Sequence, residues 1–199
     1  PDGTLWFGGD DGLARYAEGQ FTRFTSTNGL PVDQVNQVVV SRENTVWLAT
    51  SAGLLRFDGH RFLPIADSDI SAANSVMISA DGSVWCGTSL GAVRLRFGKL
   101  EGARVSDDGI QITRLTTLDG LINDRVTTIH ETPDGTLWMG TEAGLSHYDG
   151  THFVNYVSKD GLVQDAVATL SSSPDGILWV GCMNGGVCYY DPKTFTQYG

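Results

Sequence analysis

Apolar residues along this chain come in short bursts, such as Val38-Val39-Val40 and Val46-Trp47-Leu48. They do not recur at helical spacing over any window of ten residues, and Gly interrupts each candidate helix. Bursts apolar on both sides suit strands buried on both faces. Between them stand Asp-Gly pairs, at Asp81-Gly82, Asp134-Gly135 and Asp175-Gly176. Gly accepts the positive φ that a twisted hairpin demands, so these pairs predict tight turns between antiparallel strands. The pattern predicts an all-β chain.

The strands fall into a repeat. Trp6, Trp47, Trp85, Trp138 and Trp179 are spaced by 41, 38, 53 and 41 residues, the size of one propeller blade. Each sits in one phrase: TLWFGG, TVWLAT, SVWCGT, TLWMGT and ILWVGC. A turn precedes each Trp, a Gly-containing turn follows it, and a third turn such as Asp149-Gly150 leads to an aromatic fourth strand. In the fourth unit the strands read as 126–130, 136–140, 144–148 and 152–157. The expected fold is therefore a β-propeller of four-stranded antiparallel blades, at about 1–25, 35–66, 74–115, 126–157 and 167–199. The first blade begins at the turn before Trp6 and lacks its innermost strand, so the chain is expected to be part of a larger propeller. Further blades of the same chain, or a second copy, would cover the open edge. All five Trp are expected in the core between blades. The 53-residue interval holds an insert at about 97–109, between the third and fourth strands of blade three.

Composition narrows the partners. The 199 residues include 25 Gly and only 6 Pro, and the net charge is −10. An acidic chain without a basic cluster argues against nucleic acid or an anionic membrane surface. No apolar run is long enough to span a bilayer. Residue 1 is Pro, so the chain is expected to begin inside a longer or processed protein. Cys86, Cys182 and Cys188 form no disulfide framework, although Cys182 and Cys188 could meet across a hairpin.

Several motifs resemble the two-component regulator propeller repeat. They are Asp-Gly-Thr-Leu-Trp, Gly-Thr-x-x-Gly-Leu, Tyr-Asp-Gly-x-x-Phe and an interblade motif. The last reads Asn28-Gly29-Leu30 with Asp33 and Val35, Asp119-Gly120-Leu121 with Asp124 and Val126, and Asp160-Gly161-Leu162 with Asp165 and Val167. Blade three, at 70–74, lacks the Gly-Leu. The resemblance implies a sensor module in the periplasmic part of a bacterial membrane receptor, typically a hybrid histidine kinase, with oligosaccharides as a ligand class.

Enzyme motifs are missing: there is no nucleophile elbow, Walker loop or His-Glu-x-x-His. No cofactor and no metal are expected. His147 and His152 flank a turn and could face each other, but no third ligand accompanies them. One Asp per turn (Asp2, Asp81, Asp134, Asp175) is what turn geometry alone asks for, short of a calcium loop. Ligands are expected where the loops before the inner strands meet the turns after the Trp strands. That face collects Asn28, Asp33, Gln34, Asn36, Asp124, Arg125, Gln164 and Asp165, with Asp10, Asp11, Glu142 and Asn184 from the post-Trp turns. Asp33, Asp124 and Asp165 repeat and read as turn caps. Gln34, Asn36, Arg125, Glu142, Gln164 and Asn184 are the ligand-binding candidates, amides and charges suited to sugar hydroxyls. Two alternatives stand beside the sensor. One is a propeller lyase or hydrolase resembling the virginiamycin-type lyase, for which His130 is poorly placed; the other is a protein-interaction scaffold.

Overall fold

A computed structural model describes residues 3–65, 70, 72–97, 109–191 and 194–198. The first sheet holds β1 (Leu5–Gly9), β2 (Gly12–Ala17) and β3 (Gln20–Phe24). The second holds β4 (Val35–Val40), β5 (Val46–Thr50), β6 (Gly53–Phe57) and β7 (Phe62–Pro64). The third holds β8 (Ala73–Ile78), β9 (Val84–Thr88), β10 (Gly91–Phe97) and β11 (Ile110–Leu115). The fourth holds β12 (Val126–Glu131), β13 (Leu137–Thr141), β14 (Gly144–Tyr148) and β15 (Phe153–Tyr156). The fifth holds β16 (Val167–Ser172), β17 (Leu178–Cys182), β18 (Val187–Asp191) and β19 (Thr194–Tyr198).

Every sheet is an antiparallel meander in chain order, and the first has three strands. The inner strands pack side by side, β4 on β8, β8 on β12 and β12 on β16, with β1 against β4. This is the stacking of propeller blades. The insert lies between β10 and β11 as expected, and its residues 98–108 fall outside the described set.

Successive sheets are joined by buried apolar layers. Trp47 packs with Ala73, Val76 and Val84 of the next sheet, Trp85 with Val126 and Ile129, and Trp138 with Val167 and Leu170. Each indole thus fills the space toward the following blade. Trp6 is partly buried against the second sheet, its ring 5.5 Å from that of Phe57. Trp179 departs from the expectation: it is 37% exposed, and its ring contacts among the described residues are with Tyr189 and Tyr198 of its own sheet. The reason is that no described sheet follows it.

The interblade motif has a physical explanation. Asn28, Asp119 and Asp160 each accept a hydrogen bond from the backbone N–H three residues back, of Thr25 (2.6 Å), Thr116 (2.8 Å) and Val157 (3.0 Å). Gly29, Gly120 and Gly161 then adopt φ of 116°, 109° and 113°, which favours glycine. The chain reverses, and Leu30, Leu121 and Leu162 bury completely between blades. At blade three Ile70 fills that place, 2% exposed, so the slot survives without its Gly-Leu.

Candidate functional site

The loops before the inner strands and the turns after the Trp strands do share a face, fastened by main-chain bonds. Ser51 N–H donates to Gln34 O (3.3 Å), Glu142 N–H to Arg125 O (3.2 Å) and Met183 N–H to Ala166 O (2.8 Å). Two repeating devices shape this face. Asp33, Asp124 and Asp165 accept from the backbone N–H seven residues earlier, of Ser26 (2.6 Å), Thr117 (2.7 Å) and Ser158 (2.6 Å). The Ser26 backbone N–H and then its hydroxyl (2.7 Å) hold the Asp33 carboxyl below its ordinary value. These aspartates are turn caps, as their repetition suggests. Thr50, Thr88 and Thr141, all buried, donate to the carbonyls of Gly53, Gly91 and Gly144 at 2.7 to 2.8 Å and so close the post-Trp turns.

The candidate ligand residues form three groups, one on each of three blades. Gln34 Nε2 donates to Asn36 Oδ1 (3.2 Å). Arg125 Nε lies 2.8 Å from Glu142 Oε2, with both side chains largely in solvent. Gln164 packs against Gly185, where an added Cβ would stand 2.8 Å from its side chain, and the neighbouring Asn184 takes φ of 57°. Asn36 is already committed: its Nδ2 donates to Ala73 O of the next inner strand at 2.7 Å.

That bond belongs to a belt that sequence reasoning missed. Each inner strand from the second sheet on slips register by one residue at its start, between Val35 and Gln37, Ala73 and Ser75, Val126 and Thr128, and Val167 and Thr169. Such a bulge leaves one residue unpaired and re-aims it. The freed residue reaches across to the next blade: Asn36 to Ala73 O, Asn74 Nδ2 to Val126 O (2.8 Å) and Thr127 Oγ1 to Val167 O (2.7 Å). At the fifth sheet the same place is Ala168, which has no donor. A polar second residue in the inner strands of the second, third and fourth sheets was the available signal.

Other expectations divide. His147 and His152 do not face each other; His147 pairs with Val154 and leans on Trp138 at 4.7 Å, while His152 joins the Asp149 turn. No group of three or more metal-ligating side chains occurs among the described residues. Asp81, Asp134 and Asp175 are engaged by Ser83, Thr132 and Ser173 within their own turns, and Asp2 lies outside the described residues. Cys182 and Cys188 are free thiols, and burial pushes the Cys188 thiol up. His130 sits at the opposite end of β12 from the loop face, 2.9 Å from Ser172 Oγ, and burial lowers its pKa.

Residues 120–143 match the family model described as two component regulator propeller. The matched stretch runs from Gly120 of the interblade turn through β13, and so contains the Asp124 cap, Arg125, the Trp138 strand and Glu142. No curated protein sequence matches the chain. Among solved structures it is similar to the extracellular domain assigned to the hybrid two component system BT4673 of B. thetaiotaomicron, with TM-score 0.81 and 21% identity over 99% of this chain. A second, from BT3049 of the same organism, gives TM-score 0.76 and 19% identity over 96%. The chain spans only 30% and 26% of those domains. Virginiamycin B lyase from Staphylococcus aureus shares the fold, with TM-score 0.70, 14% identity, and 99% of this chain against 66% of that one. At these identities the structural likeness is one of fold. Among the described residues no helix is long and apolar enough to cross a membrane.

Proposed function

We propose that the chain is the ligand-sensing part of an extracytoplasmic, periplasmic propeller in a bacterial two-component receptor, and that it takes a small molecule of the oligosaccharide class on its loop face. The observation that carries this reading is a division of labour within the repeat. Asp33, Asp124 and Asp165 hold the loops in the same way on three blades, so Gln34, Arg125, Glu142, Gln164 and Asn184 can differ from blade to blade without cost to the fold. Amides and an exposed ion pair offer the directional donors and acceptors that sugar hydroxyls require. The regulator propeller repeat supports the receptor context.

This reading is non-enzymatic. A lyase would need an acid–base group over the loop face, and His130 lies at the far end of its strand, engaged with Ser172. Calorimetric titration with a panel of plant and host-glycan oligosaccharides tests the proposal. Saturable binding that Arg125→Ala and Gln34→Ala each weaken about tenfold supports it; binding indifferent to both contradicts it.

A further inference from the structure

In four of the five sheets the third-strand residue that pairs with the Trp lies against its indole. Arg15 stands 5.9 Å from the ring of Trp6, Arg94 5.2 Å from Trp85, His147 4.7 Å from Trp138 and Tyr189 5.3 Å from Trp179. In the second sheet the paired residue is Arg56, yet the ring packed on Trp47 is that of Phe97, at 5.5 Å, from the end of β10 in the next sheet. Arg56 is displaced from the indole and lines a cavity of about 560 Å³ between the second and third sheets. That size is in the range of small-molecule sites.

The cavity lies at the end of the strands opposite the loop face, among the turns before β5 and β9. Later crevices at this end are strapped shut. Glu131 accepts from Ser79 Oγ (2.9 Å) and Ala80 N–H (2.7 Å) across the third and fourth sheets, and His130 meets Ser172 across the fourth and fifth. Between the second and third sheets the place of Glu131 is taken by Ile78 and that of His130 by Val39, neither of which can make a strap.

The lining is amphipathic. Val40, Ile78 and Phe97 supply an apolar wall, Val40 and Phe97 being exposed. Four charged residues line it: Arg42, Glu43, Arg56 and Asp81. Asp81 is occupied by Arg94 at 2.6 Å and Arg96 at 3.4 Å. The side chains of Arg42 and Arg56 make no hydrogen bond, ion pair or ring contact with a described residue. Two unengaged guanidinium groups beside an apolar wall call for an anion with an apolar body, since the planar fork of Arg matches an oxyanion.

We propose that this cavity binds an organic carboxylate, its head held by Arg56 and Arg42 and its body against Val40, Ile78 and Phe97. A singly charged head suits it better than a phosphate ester, because Glu43 lines the same space on a chain of net charge −10.

The test titrates phenylacetate, phenylacetamide and benzyl phosphate into the full chain by calorimetry. Phenylacetate is expected to saturate at millimolar concentration or below, with phenylacetamide at least about tenfold weaker. Arg56→Gln and Arg42→Gln should each cost phenylacetate about tenfold, while Lys159→Gln leaves it unchanged. Circular dichroism checks the fold of each variant, and the acid–amide comparison on the unaltered chain stands even if one variant fails to fold. No saturable phenylacetate binding, equal binding of acid and amide, tighter binding of benzyl phosphate, or indifference to both Arg variants overturns the proposal. The oligosaccharide titration reads different residues at the other end of the strands, so the two sites fail independently.

Discussion

Gly8 lies against Val35 of the next inner strand so closely that a Cβ on it would stand 2.6 Å from Val35 Cγ1. The same close approach recurs down the chain, Gly87 under Val126 at 2.9 Å and Gly140 under Val167 at 2.6 Å. Where the inner strand opens with Ala73 in place of Val, the second-strand residue is Ala49 in place of Gly, and both are fully buried in one cluster. The methyl lost on one blade is returned by its neighbour. Volume is conserved across the joint, which is what close-packed interiors demand.

A double-mutant cycle measures that joint. Gly8→Ala should destabilise by roughly 1–3 kcal/mol, the usual range for overpacking. Combined with Val35→Ala it should cost less than the sum of the two single changes, because the pair then copies Ala49 and Ala73. Urea unfolding of the four proteins gives the coupling energy.

The belt makes a second prediction. Asn74→Ala removes the bond to Val126 O and leaves that carbonyl short of a partner, at a cost of about 1 kcal/mol. Asn74→Thr, the residue type found at 127, should recover part of it, again read by urea unfolding.

Trp positions should not be equivalent. Trp85 is 2% exposed and its Nε1 has no hydrogen-bond partner among the described residues, so its role is packing. Trp85→Ala should cost roughly 3–5 kcal/mol. Trp179→Ala should cost far less, since that ring is 37% exposed and its ring contacts among the described residues, Tyr189 and Tyr198, belong to its own sheet.

Thiol reactivity follows burial. The Cys86 thiol is pushed up to about 12 by burial, and Cys188 is raised by the same cause. Iodoacetamide at pH 8 should therefore label half-buried Cys182 first, and Cys86 only after denaturation, as read by mass spectrometry.

Acid should destabilise the fold in two stages. Burial lowers the pKa of His130, so its folded value lies below the unfolded one, and its contribution fades as pH falls below about 6.5. At Asp81 burial is outweighed by Ser83 and by Arg94. Asp134 is held down first by the Thr132 hydroxyl, and Asp149 by the backbone N–H of His152. Their contributions are complete above the unfolded value of about 3.9 and are lost as pH falls below it. His130→Gln should abolish the first decline in a urea-midpoint series and leave the second.

Much of this architecture could be read before folding, because it repeats. The Trp period, the Asp-Gly turns and the buried Leu30, Leu121 and Leu162 each recur at one place per blade, and local chemistry fixes them. What escaped depends on contacts between blades. The belt of Asn36, Asn74 and Thr127 needs the bulge that frees those side chains, and the bulge is set by pairing with the neighbouring strand. Trp179 carries the same phrase as Trp85 and differs only in what lies beside it. The displacement of Arg56 by Phe97 joins residues on different sheets, and nothing in either blade's own pattern announces it.

The account rests on blades that hold one another, and peptide-resolved hydrogen exchange tests it most directly. Strands β8 to β10 and β12 to β14, with a described sheet on both sides, should exchange slowest, ahead of β1 to β3 and β17 to β19. Protection spread evenly over all five sheets, or greatest in β17 to β19, would contradict it.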